Sequence, residues 1–170
     1  MAAYKLIIIS DMKNVTALLF LFASALSFGQ SIEIINPDHE KKTVTLADLK
    51  AFPNHTVKDL KITNHLKEYK STIENANGVL LRDLLAKVSF KEKSPKVLSE
   101  YYIVCIAEDN YKVVFSWNEI FNTAVGDSAL IITDAKDRPQ DGISTLSPTD
   151  FATGRRYVKK LKTIQLKKAE

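Results

Sequence analysis

The sequence predicts an α+β domain, a mainly antiparallel or mixed β-sheet carrying short helices, and three observations lead there. Strand-like runs dominate the order of elements, the strongest being Tyr101-Tyr102-Ile103-Val104-Cys105-Ile106-Ala107. Two Ser/Thr-x-x-acid signatures, Thr45 with Asp48 and Ser116 with Glu119, mark helix starts between those runs. No Gly-x-Gly-x-x-Gly or Walker loop is present, which argues against Rossmann or P-loop nucleotide binding.

The chain opens with a segment of different character. Met12-Lys13-Asn14 precedes an apolar run from Val15 to Leu26, and small Ser27 and Gly29 stand at minus three and minus one of a cut before Gln30. This reads as an upstream extension and signal peptide over residues 1–29, followed by a single domain over 30–170. The run is shorter than the roughly 20 residues needed to cross a bilayer, and no cysteine stands at a lipobox position. The expectation is a periplasmic or secreted protein with no membrane span once the signal is removed.

In the remainder, Ser31 to Ile35 and Lys42 to Thr45 are short β-like pieces around a turn at Asn36-Pro37-Asp38. The Thr45 helix ends before Pro53, because the residue before a proline avoids the helical region. Thr56 to Thr63 alternates, with Val57, Asp59, Lys61 and Thr63 on one face and Lys58, Leu60 and Ile62 on the other. A turn at Asn64-His65 returns the chain over Lys67 to Glu74, antiparallel to it. Gly78 punctuates, and Leu80, Leu81, Leu84, Leu85 and Val88 then fall on one helical stripe, leaving Arg82, Asp83 and Lys87 to water.

Tyr101 to Ala107 turns at Glu108-Asp109-Asn110 and returns as Tyr111 to Phe115. Ser116 caps a short helix through Phe121. Ala129 to Thr133 is another buried strand, and Thr163 to Leu166 is the last.

Composition excludes several function classes. Hydrophobic residues make up 45% and charged residues 26%, an ordinary globular balance. Without residues 1–29, which hold Lys5, Lys13 and Asp11, the chain keeps 22 basic and 19 acidic residues. A net of +3 spread along the chain is no nucleic-acid footprint. The single cysteine, Cys105, excludes an internal disulfide and reads as a small buried hydrophobe. His39, His55 and His65 are too widely spaced for a zinc motif.

Four segments, in this order, carry a family likeness: Val44-Thr45-Leu46-Ala47-Asp48-Leu49-Lys50; Gly78-Val79-Leu80-Leu81-Arg82-Asp83-Leu84-Leu85; Tyr102 to Phe115 around Asp109-Asn110-Tyr111; and Gly154-Arg155-Arg156-Tyr157-Val158-Lys159 running into Ile164. Together, from about Val44 to Leu166, they resemble the molybdopterin-binding domain of the sulfite oxidase family. The resemblance implies that family's fold and a molybdopterin-type cofactor. It also implies a metal held by one cysteine thiolate in a loop after an early strand, a soft ligand that tunes the metal's electronics.

In this sequence the corresponding loop is Thr63-Asn64-His65-Leu66, which has no cysteine. The resemblance therefore leaves no metal ligand and no assigned catalytic residue. It marks His65, Asn110, Arg155, Arg156 and Lys159 as cofactor-binding candidates, the basic three because guanidinium forks and an ammonium suit a pterin phosphate. Two functions stay open at this level. One is an exported oxidoreductase-related protein of the molybdopterin-binding type, which would need a periplasmic redox partner. The other is a cofactor-free binding module for a small anionic ligand or a partner protein.

Overall fold

The computed structural model describes residues 30–170, so the expected extension and signal peptide lie outside the described residues. The chain order is β1 (Ser31–Ile35), β2 (Lys41–Thr45), α1 (Leu46–Lys50), β3 (His55–Thr63), β4 (Tyr69–Leu80), α2 (Leu81–Leu85), α3 (Pro95–Leu98), β5 (Tyr101–Ala107), β6 (Lys112–Ser116), α4 (Trp117–Asn122), β7 (Leu130–Asp134), β8 (Ser144–Leu146) and β9 (Leu161–Lys168). Two 3-10 turns, Pro139–Asp141 and Thr153–Arg156, flank β8.

The strands form two sheets. One has five strands in the order β2-β1-β9-β5-β6 and the other four in the order β3-β4-β7-β8. Among the described residues, only the β1–β9 pair is parallel. Both expected capping boxes form. The Thr45 hydroxyl accepts the Asp48 amide at 3.1 Å, and Ser116 Oγ accepts that of Glu119 at 3.0 Å. The hairpin β5–β6 is antiparallel, and Asn110 takes the left-handed φ of 68° at its tip, where an asparagine is tolerated.

Side-chain alternation ties the two sheets into one body. Val79 of β4 and Ile131 of β7 enter a large core with Ile103, Cys105, Phe115 and Ile164 of the five-stranded sheet. Their neighbours Leu80, Leu130 and Ile132 enter a second core with Leu60, Ile62 and Ile73. The central strands of the small sheet are thus buried on both faces.

Three expectations are corrected. Gly78 lies within β4, because a Cβ there would run into the Ile131 carbonyl of β7; the glycine lets the two backbones approach closely. Leu80 accordingly ends a strand and only Leu81–Leu85 is helical, although the stripe Leu81, Leu84 and Leu85 is buried as expected. In β3 the strict alternation breaks. Val57 packs into the same core as Leu60 and Ile62, with the left-handed Asp59 (φ 49°) between them. That conformation resets which face the side chains occupy. No helix among the described residues is long and apolar enough to cross a membrane.

Candidate functional site

The segment from Phe151 to Tyr157 joins the elements that the resemblance singles out. Its first anchor is the end of β3. Thr63 and Thr153 exchange backbone-to-hydroxyl hydrogen bonds at 2.9 and 3.1 Å, the Thr153 hydroxyl donates to the Lys61 carbonyl at 2.8 Å, and the Thr63 hydroxyl donates to the Phe151 carbonyl at 3.0 Å. Within the Thr153–Arg156 turn, directly after Thr153, sits Gly154, where a Cβ would lie 2.7 Å from the Thr63 carbonyl oxygen. A larger residue would push the segment off the strand.

The second anchor is the β5–β6 hairpin. The Tyr111 hydroxyl donates to the Arg155 carbonyl at 2.6 Å. The third is α4: Arg156 Nη2 donates to Glu119 Oε1 at 2.8 Å, its Nε lies 3.4 Å from Asp150 Oδ2, and the guanidinium rests 4.6 Å from the Phe115 ring centroid. Beyond Tyr157 the chain bridges to β8, with Val158 opposite Thr145.

Of the five candidates, the fold gathers some and separates others. His65 lies exposed in a turn that Asn64 closes on itself: its side-chain oxygen accepts the Leu66 and Glu68 amides at 2.9 and 3.0 Å. Arg155 is exposed beside Tyr111, and Asn110 is exposed at the hairpin tip next to it. Arg156 turns inward to its two carboxylates, with Nη1 buried and without a partner. Lys159 pairs at 3.2 Å with Asp141, whose other oxygen accepts the Tyr157 hydroxyl at 2.6 Å. The outer cations at this junction are therefore Arg155 and Lys67, the latter 5.0 Å from the centroid of the Phe151 ring, which is 81% exposed.

Sequence reasoning missed Phe151, Thr153, Asp150 and the second role of Glu119. Glu119 was legible as a cap, but its remaining oxygen reaches Arg156 from 37 residues away, and no local signal encodes that.

The donor set does not fit a thiolate-held metal. Cys105 is fully buried on β5, opposite Val113 and Ile164, and burial pushes its thiol up to about 12. Among the described residues no three His, Cys, Asp or Glu side chains cluster as metal ligands do.

No family model and no curated protein matches this chain. Among solved structures, the sulfane dehydrogenase SoxCD from Paracoccus pantotrophus matches with a TM-score of 0.50 and 15% identity. The match covers 81% of this chain and 38% of that chain. At this identity the likeness is one of fold. The α+β architecture expected from the sequence, of the sulfite oxidase type, is the one observed, and the relationship is distant.

Proposed function

We propose that this protein is an exported binding module that uses the sulfite oxidase-type fold to recognise a small anion, and that it does not carry out molybdenum chemistry. One observation carries the reading. The inner cations of the junction are neutralised by the chain's own carboxylates, whereas Arg155 stands exposed on a segment pinned from one side by Thr63 and from the other by Tyr111. A held backbone with a guanidinium that has no ion-pair partner among the described residues suits an oxyanion, because the fork donates two hydrogen bonds without further ordering of the main chain. Lys67 adds a second positive charge beside the exposed Phe151.

The absence of a thiolate from the Thr63–Leu66 turn, and the inert setting of Cys105, support a role without the metal. Export remains part of the proposal; cleavage before Gln30 would leave the domain intact from β1 onward.

Two measurements test it. Titration of the labelled protein with phosphate and then sulfate, followed by amide NMR, should shift resonances around Lys67 and Arg155 saturably, and Arg155→Ala should remove those shifts. Protein purified from the periplasm of a molybdopterin-competent host should begin near Gln30 and hold far less than one molybdenum per chain. A stoichiometric metal content would restore the oxidoreductase reading.

A further inference from the structure

A second site lies at β2, one of the two edges of the five-stranded sheet, the other being β6. β2 ends that sheet and pairs only with β1. The bonds flanking the pair, Leu46 N–H to Gln30 at 2.8 Å and Asn36 N–H to Glu40 at 3.0 Å, fix which backbone groups point where. In an antiparallel ladder hydrogen-bonded pairs alternate with non-bonded ones. Lys42 and Val44 therefore bond inward to β1, while the N–H and C=O groups of Lys41 and Thr43 point away from it. Among the described residues these outward groups have no backbone partner.

Beneath that edge runs a groove of about 640 Å³, which shares the lining residues Ile34, Lys42, Lys87 and Val88 with a smaller cavity of about 360 Å³ beside it. Three consecutive β2 residues, Lys42, Thr43 and Val44, line it. Side chains alternate along a strand, so consecutive lining means that the backbone edge itself forms the wall. Leu84, Lys87 and Val88, at positions i, i+3 and i+4 from α2 onward, form the opposite wall, and Phe52 joins them.

The charges in the groove are unequal in availability. Asp48 is committed to the Thr45 amide at 2.8 Å and the Thr45 hydroxyl at 2.7 Å, and Glu40 accepts from the Asn36 side chain at 2.8 Å. Lys41 pairs with Glu33 on the outer face at 3.4 Å. Lys42 and Lys87 have no ion-pair partner among the described residues and stand on opposite walls. The other sheet's edges differ: β8 is closed by the Val158 bridge, and β3 carries the left-handed Asp59.

We propose that this groove docks an extended peptide segment of a partner protein, one that alternates apolar and acidic residues and pairs as an added strand with β2. Main-chain bonds to Lys41 and Thr43 would set its register, its alternate side chains would cover the half-buried Phe52 and Val88, and its carboxylates would meet Lys42 and Lys87. Lysines on an edge strand also guard against uncontrolled pairing. Here the apolar floor beside them gives the edge a binding surface as well.

The test uses a phage-displayed library of random hexapeptides selected against the protein beginning at Gln30, with the enriched peptides then synthesised and titrated by fluorescence anisotropy. The expected winners alternate apolar and acidic residues, and their amide shifts fall on Lys41 to Thr45 and Leu84 to Ser89. Thr43→Pro deletes only an outward-facing donor, a change edge strands tolerate, and should weaken binding at least tenfold. Lys87→Glu lies outside the strand, so it keeps the test sound if the proline variant misfolds; it should weaken acidic peptides to a similar extent. Three outcomes overturn the proposal: no enriched peptide, enriched peptides indifferent to both substitutions, or a concentration-dependent dimer of this chain that Thr43→Pro abolishes while no peptide binds.

Discussion

Arg156 and Glu119 hold the Thr153–Arg156 turn to the start of α4, at 2.8 Å between Nη2 and Oε1. The other Glu119 oxygen accepts the Ser116 amide at 2.7 Å, so one carboxylate both caps a helix and clamps a neighbouring segment. Removing the guanidinium leaves Glu119 and Asp150, each half-buried, without their cation. Arg156→Ala should therefore lower stability by about 2 kcal/mol, within the range for hydrogen bonds to charged groups. Urea unfolding with an unchanged m-value checks this. A midpoint equal to that of the parent would show that the clamp contributes nothing.

The same pair sets a pH dependence. Burial pushes the Glu119 carboxyl up, but the Ser116 amide and the Arg156 hydrogen bond and charge together outweigh it, so it lies below its ordinary 4.5. A carboxyl depressed in the folded state stabilises fully above its unfolded value and loses that contribution as pH falls through the folded one. The urea midpoint should hold steady from neutral pH down to about 4.5 and then decline. Glu119→Gln, which cannot titrate, should start lower and decline less steeply. Parallel acid limbs for the two proteins would refute the assignment.

The parts of the fold written locally were legible. Thr45 with Asp48 and Ser116 with Glu119 announce their helices within four residues, and Asp109-Asn110 announces its turn. What the sequence hid is non-local. Gly78 looks like punctuation until Ile131 arrives from 53 residues away to occupy the space where a Cβ would stand. The phase of β3 depends on the single left-handed residue Asp59, whose conformation no periodicity encodes. At the site, no local signal shows that Arg156 is already paired, because Glu119 reaches it from 37 residues away and Asp150 from the start of the same connecting segment.

Gly78 gives a direct measure of that hidden contact. Gly78→Ala places a methyl against the Ile131 backbone, which cannot swing aside as a side chain would. The expected loss is about 3 kcal/mol, at the upper end of the overpacking range. If the variant unfolds at the parental urea concentration, β4 and β7 are not as close as described.

Leu84 tests the helical stripe that the sequence did reveal. It is 2% exposed within the large core, and Leu84→Ala should cost about 2–5 kcal/mol by thermal or urea unfolding. Lys87→Ala, one turn on and exposed, should stay within about 0.5 kcal/mol of the parent. Similar losses for both would mean that α2 does not face the core.

Cys105 supplies a reporter for the whole domain. Its side chain is 0% exposed and burial pushes its thiol up to about 12, so both access and ionisation disfavour its reaction in the native state. Ellman's reagent should therefore leave the native protein unlabelled on the timescale in which urea-unfolded protein reacts fully. What slow labelling remains should report the population of opened molecules. Because about 2 kcal/mol changes that population roughly thirtyfold, Arg156→Ala should accelerate native labelling by about that factor. Reducing agent should leave the melting temperature unchanged, there being no second cysteine in the chain to pair with. Prompt labelling of the parent in native buffer would place Cys105 in a cleft and overturn its position in the core.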